Sequence, residues 1–280
     1  MELIKARIKD EALVAEMDSL LTDDKQYHLW WLGQSGYLLQ WKGKRVLLDP
    51  YLSDSLTQKY AATDKPHTRM SEQVIRPELL RGISVVTSSH NHTDHLDAET
   101  LIPVLQNNPG IKFIIPEANR EFVCERVKCA IDLPVGLNDG DKITVDGFTF
   151  HGVPAKHNEI DRDAFGNCRY MGYVITFDGH AIYHSGDTLW FDEMESILKP
   201  FNIETALLPI NGNKPERKVA GNLDAEEAVR LGRLLGVKTV IPCHYNMFAF
   251  NTADPAEFEK LATANGVPHR VLQGGERFSY

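Results

Sequence analysis

Four side chains of metal-ligand type, His90, His92, Asp94 and His95, fall within six consecutive positions of the segment Ser88-Ser89-His90-Asn91-His92-Thr93-Asp94-His95. The chain has 11 histidines in 280 residues, so three of them in six positions is a concentration that chance does not readily produce. The segment follows an apolar run, Ile83-Ser84-Val85-Val86-Thr87, that reads as a strand, and a helix-like pattern begins near Asp97. A tight loop at a strand end can turn several side chains to one side. Imidazoles and a carboxylate suit zinc, manganese or iron, and the lack of thiolates in the loop argues against a closed cysteine-type structural site.

Three later residues stand in similar positions. His157 comes after the strand-like run ending Val153-Pro154-Ala155-Lys156, Asp187 after Ile182-Tyr183-His184-Ser185-Gly186, and His244 after Val240-Ile241-Pro242-Cys243. Loops at strand ends carry functional groups on a rigid scaffold. Gly186 would let the backbone approach its neighbours closely beside Asp187. His184, inside its strand, is expected to pack or to support the site without joining it.

The remaining elements must hold these loops. Residues 1–24 space apolar side chains three to four apart, which predicts an amphipathic helix. Residues 28–32, 37–41 and 45–48 read as a strand meander closed by Asp49. Hairpins are expected across Asp146-Gly147 and Asp178-Gly179. Asp224 with Glu227 makes a capping-box pair at the head of a helix stopped by Gly236, and Asp254-Pro255 opens a last helix. Residues 51–75 show no clear period, so a lid, a pocket wall or a plain surface loop is expected there.

Composition narrows the class. A hydrophobic content of 42% supports a large core, and the length suits one or two domains; with no linker-like segment dividing the chain, one domain spanning residues 1–280 is expected. The net charge of −9 disfavours nucleic acid as a partner. No long apolar run and no apolar leader are seen, so neither a membrane nor secretion is expected, and the compartment expected is the cytoplasm. Four scattered cysteines without a Cys-x-x-Cys pair fit reduced thiols.

The pattern His-x-His-x-Asp-His after a strand resembles the signature of the metallo-β-lactamase superfamily. That resemblance implies an α/β fold, an αββα four-layer sandwich of two mixed sheets with helices on both outer faces. It also implies two divalent metal ions, zinc or manganese: His90, His92 and His157 on one, Asp94, His95 and His244 on the other, Asp187 between them, and Asp49 beneath the loop as a support. Two such ions lower the pKa of a shared water towards 7 and polarise a carbonyl or phosphoryl oxygen, which is hydrolytic chemistry. Asp94 and Asp187 are then the catalytic carboxylates, Asp94 as a proton carrier.

Trp30-Trp31-Leu32-Gly33, Tyr183-His184-Ser185-Gly186-Asp187, Ile241-Pro242-Cys243-His244-Tyr245 and Phe250-Asn251-Thr252-Ala253-Asp254-Pro255 are similar to the L-ascorbate-6-phosphate lactonase group of that superfamily. Ala155-Lys156-His157 is more similar to the phospholipases that hydrolyse N-acyl-phosphatidylethanolamines. The expected reaction is opening of a small ester or lactone, with a phosphodiesterase as the alternative. The basic stretch Asn213-Lys214-Pro215-Glu216-Arg217-Lys218 would bind an anionic small-molecule substrate through Asn213, Lys214, Arg217 and Lys218, with Asn222 and Trp190 nearby. A homo-oligomer is expected.

Overall fold

Two runs of strands, each beginning as an antiparallel meander and continuing with parallel strands, organise the molecule. The computed structural model describes residues 2–217, 219 and 221–280. The first run is β1 (His28–Gly33), β2 (Gly36–Trp41), β3 (Lys44–Leu48), β4 (Ile83–Thr87), β5 (Lys112–Pro116) and β6 (Pro134–Leu137). The second is β7 (Lys142–Val145), β8 (Phe148–Pro154), β9 (Met171–Phe177), β10 (His180–His184), β11 (Thr205–Pro209) and β12 (Thr239–Cys243). A last strand, β13 (Arg277–Ser279), returns to pair with β1, giving sheet orders β13-β1-β2-β3-β4-β5-β6 and β12-β11-β10-β9-β8-β7.

The helices are α1 (Asp10–Ser19), α2 (Ser55–Tyr60), α3 (Ala98–Asn107), α4 (Arg120–Val127), α5 (Met194–Leu198), α6 (Ala225–Leu235) and α7 (Pro255–Ala264). Leu13 and Met17 of α1, Leu101 and Val104 of α3, and Val123 and Val127 of α4 pack with Trp30, Leu38, Leu47 and Phe113 on the outer face of the first sheet. Between the sheets lie Tyr37, Leu39, Val85, Phe150, Tyr173 and Ile175, in a core that continues to α5, α6 and α7. Every residue of β2, β11 and β12 is buried, as expected of strands covered on both faces. The layers are helix, sheet, sheet, helix: the metallo-β-lactamase fold.

Local chemistry explains the boundaries. Asp146-Gly147 and Asp178-Gly179 turn their hairpins with both residues at positive φ, 50° and 89° for the first pair and 46° and 87° for the second. The Asp224 side chain accepts from the Glu227 amide and the Glu227 side chain accepts from the Asp224 amide, and Gly236 at φ 65° ends α6. The expected helix over 1–24 is shorter than its apolar spacing suggests. Only Asp10–Ser19 is helical, because the backbone ahead of it pairs elsewhere: the Ile4 amide donates to Met70 O at 2.7 Å and the Arg7 amide to Gly274 O at 2.8 Å. Strands β6 and β13, four and three residues long, have too little sequence for a period to show.

Candidate metal centre

All four ligand-bearing loops leave the ends of buried strands at one rim of the two sheets. Parallel strands aligned in register bring their following loops to the same edge, which is where open α/β sheets build their sites. The loop 88–95 follows β4, whose Val85, Val86 and Thr87 are fully buried. His157 follows β8, Asp187 follows β10 and His244 follows β12. Gly186, at φ 58°, allows the crossing beside Asp187: a Cβ there would stand 2.7 Å from both Met171 O and Ser89 Cβ.

The seven side chains meet as two groups. His90, His92 and His157 form one, and Asp94, His95, Asp187 and His244 form the other, each with its donor atoms within 4.8 Å of one another. In the second group Asp187 Oδ1 is 3.2 Å from His95 Nε2 and 3.2 Å from His244 Nε2. In the first, His157 Nε2 is 3.2 Å from His92 Nδ1. Donors held at 2.0–2.1 Å around a tetrahedral ion stand roughly 3.3 Å apart, so these spacings suit a cation. His90 Nε2, His95 Nε2, His157 Nδ1 and Asp187 Oδ1 are buried with no hydrogen-bond partner. Buried polar atoms are normally paired, and a bound cation would satisfy these. The residues present fit divalent metal.

The charges match that purpose. Burial would raise the Asp187 carboxyl, but His244 and His95 beside it hold it well below the usual carboxylate range. Burial, with His95 and His92 close by, pushes His90 well below the ordinary imidazole value, keeping it neutral as a ligand must be. Burial opposes charge on His95 as well, yet the carboxylates of Asp187 and Asp94 raise it well above normal, so without metal it holds a proton that must leave before Nε2 can ligate.

Beneath the loop, Asp49 is fully buried at the end of β3. Its Oδ1 accepts from Thr87 Oγ1 at 2.7 Å, and both carboxylate oxygens lie 3.1 Å from the Ser89 amide. His95 Nδ1 donates to Asp49 Oδ2 at 2.8 Å, which leaves Nε2 facing Asp187. A carboxylate on the far nitrogen fixes the tautomer and angle of a ligating imidazole. His184 stays outside both groups, its Nε2 donating to Ser35 O at 2.8 Å.

The chain matches the family described as "Beta-lactamase superfamily domain" over residues 44–245. It belongs to that superfamily. This metal-dependent hydrolase is also 31% identical over 233 residues to a UPF0173 metal-dependent hydrolase of Pyrococcus abyssi, spanning 82% of this chain and 89% of that one. A UPF0173 metal-dependent hydrolase of Pelotomaculum thermopropionicum is 32% identical over 250 residues, 88% of this chain and 96% of the relative. Among solved structures, a novel metallo hydrolase from Ignicoccus hospitalis superimposes with a TM-score of 0.66 at 27% identity, covering 91% of this chain and 99% of the other.

A cavity of about 390 Å³ opens over the two groups of this hydrolase, with His92, Asp94, His157, Asp187 and His244 in its lining. Its wall is built by the unpatterned stretch after Asp49: Leu56, Lys59, Tyr60, Lys65 and His67 face it. The basic stretch expected to grip the substrate does not line it. Asn213 and Lys214 are outside the lining, and Lys218 lies outside the described residues. The Arg217 guanidinium is committed to Asn211 O at 2.7 Å, Asn251 Oδ1 at 2.9 Å and Thr252 O at 2.9 Å, so it braces Asn251, which does line the cavity. Asn222 is buried on Asn211 Oδ1 and Trp190 lies under Arg230, both away from the lining.

Sequence reading passed over Gln34. It sits at φ 50° in the turn between β1 and β2, buried, with Nε2 2.8 Å from Asp94 Oδ2 and within 3.2 Å of the His244 ring nitrogens. Its backbone carbonyl accepts from Trp31 Nε1 at 3.0 Å and the His244 amide at 3.1 Å, which locks the turn. A polar residue in a turn beside glycines looks like any other turn residue, and only the helical-left φ distinguishes it.

Proposed function

We propose that this chain hydrolyses a small ester or lactone at a centre of two divalent ions, zinc or manganese. The observation that carries the reading is the pair of donor groups with orphaned buried nitrogens and a carboxylate oxygen, meeting at the floor of one cavity. Bound there, such ions lower the pKa of water and polarise an acyl or phosphoryl oxygen. His90, His92 and His157 would hold one ion, and Asp94, His95 and His244, with Asp187, would hold the other. Asp49 keeps the His95 ring turned, and Gln34 donates to Asp94 and so restrains its carboxylate. Asp94 carries a proton on its carboxylate towards the leaving oxygen.

The lactonase-like segments at 30–33, 183–187, 241–245 and 250–255 support phosphorylated sugar lactones as the first substrates to offer. The test is elemental analysis of purified protein, paired with turnover of lactones, phosphodiesters and phosphorylated sugar lactones with zinc or manganese supplied. About two metals per chain and lactone turnover abolished in Asp187→Ala is the expected result. Cleavage of bis-aryl phosphates with lactones untouched favours a phosphodiesterase on the same donors. A chain that takes up no metal overturns both.

A further inference from the structure

The chain carries a net charge of −9, yet its one described cavity over the metal-donor groups gathers Lys59, Lys65 and Arg126. The only carboxylates in the described lining are Asp94 and Asp187, and both belong to the donor groups. Once those two are engaged with cations, no other carboxylate belongs to the described lining. Clefts lined by one sign of charge focus the field and concentrate ligands of the opposite sign.

Two of these cations are placed for recognition. Lys59, on α2, is exposed, with Nζ 5.2 Å from the centre of the Tyr60 ring, and it has no carboxylate within ion-pair distance among the described residues. Arg126, on α4, is half-buried; its Nη1 donates to Asn91 O at 2.7 Å, in the metal-donor loop, and its plane lies 4.5 Å over Phe122. Those contacts commit Nη1 and one face, leaving Nε and Nη2 with no hydrogen-bond partner among the described residues.

The wall that bears Lys59 is fastened by rings. His67 stacks on Tyr60 at 4.4 Å and meets Phe248 at 5.0 Å and Phe250 at 4.5 Å. Thr57 Oγ1 donates to His67 O at 2.6 Å, which ties α2 to the loop beyond it. Arg69 clasps Asp54 at the start of the same helix at 2.6 Å. Lys59 therefore projects from a braced element, and Tyr60, His67 and Phe248 give the same cavity an apolar surface.

We infer that Lys59 and Arg126 form an anion-recognition site in this cavity, which binds a carboxylate or phosphate carried by the substrate away from the bond that is cleaved. The ring surface takes the carbon skeleton between the two ends. A volume of about 390 Å³ is at the small end for ligand pockets, so the ligand is a small metabolite and not a polymer. The assignment of this anion to a substrate rests on the hydrolase reading; the site itself does not.

Calorimetric titration of metal-loaded protein with three unreactive probes separates the two. Phenylphosphonate and benzoate carry the anion, and benzyl alcohol is the neutral comparison. Lys59→Gln is expected to weaken one anionic probe, phosphonate or carboxylate, by about tenfold or more, the loss of one charge-assisted hydrogen bond, and to leave benzyl alcohol unchanged. Arg126→Gln is expected to do the same, with Arg126→Lys retaining part of the affinity and showing that the metal loop is intact. Lys260→Gln, on the exposed side of α7, controls for overall charge. Which anion loses more identifies phosphate or carboxylate as the group recognised. Anion affinities that do not change in Lys59→Gln and Arg126→Gln, or that fall equally in Lys260→Gln, overturn the site. Lactone turnover without any anion preference removes this inference and leaves the hydrolase reading standing; anion binding through Lys59 with no turnover of any ester, lactone or phosphodiester does the reverse.

Discussion

His95 Nδ1 and Asp49 Oδ2 are 2.8 Å apart, and neither side chain is exposed at all. That bond joins the end of β3 to the metal-donor loop after β4 and decides which nitrogen of His95 reaches Asp187. Burial works against the Asp49 carboxylate, while His184 and His95 hold its pKa below normal, so it stays charged under the loop. Asp49→Ala is expected to lower metal affinity by about 10- to 100-fold, measured by competition with a chromophoric chelator. Unchanged affinity would show that the His95 ring is held by packing alone.

Gln34 makes a parallel prediction from the other side of the centre. Replacing it by alanine removes the donor to Asp94 Oδ2 without touching a proposed ligand. Metal affinity is expected to fall by about tenfold, with a smaller loss in Gln34→Asn only if the shorter amide still reaches Asp94. Equal stoichiometry and affinity in wild type and Gln34→Ala would refute the role.

The metal-stripped protein should lose stability in mild acid. His157 is buried and its pKa is lowered to about 4, chiefly by burial; His90 is held well below the ordinary imidazole value by the same cause. The unfolded chain takes up these protons near 6.5, so the folded state binds fewer protons below that pH and stability falls as pH drops from about 6.5 to about 4. His157 alone contributes on the order of 3 kcal/mol over that window. His95 has a raised pKa and is charged in both states there, so it does not cancel the slope. Urea unfolding between pH 4 and 7 measures this; a flat or rising stability towards pH 4 contradicts it.

Gly186→Ala tests the close crossing beside Asp187. The new Cβ would meet Met171 O and Ser89 Cβ at 2.7 Å in a backbone region that L residues enter only under strain. A loss of about 1–3 kcal/mol is expected in chemical unfolding, together with weaker metal binding. A variant as stable as the wild type would mean that the strand end relaxes freely.

His90, His92, Asp94 and His95 were legible because their chemistry is local: an imidazole-rich loop survives in one dimension as a pattern of spacing. His157, Asp187 and His244 were legible only through the resemblance, because a single His or Asp after a strand is more often structural. The hairpins at Asp146-Gly147 and Asp178-Gly179 and the α6 cap were legible for a local reason: the backbone conformation needs those residues at that spot. The anion-binding stretch was not. Arg217 and Lys214 have the right charge and lie between two ligand segments in the chain, but the fold turns Arg217 onto Asn251 and Thr252 and leaves Lys214 off the cavity.

By itself, then, the sequence determined the metal-ligand loop at 90–95 and the strands that end beside it, and its resemblance to a hydrolase superfamily supplied the other ligands and the chemistry expected of them. The tertiary structure alone decided what surrounds them. Gln34, Lys59, Arg126 and His244 belong to four different elements and become neighbours of one cavity only when two sheets pack face to face. Periodicity reports the face a residue shows within its own element, and it contains nothing about which distant loop will stand across from that face.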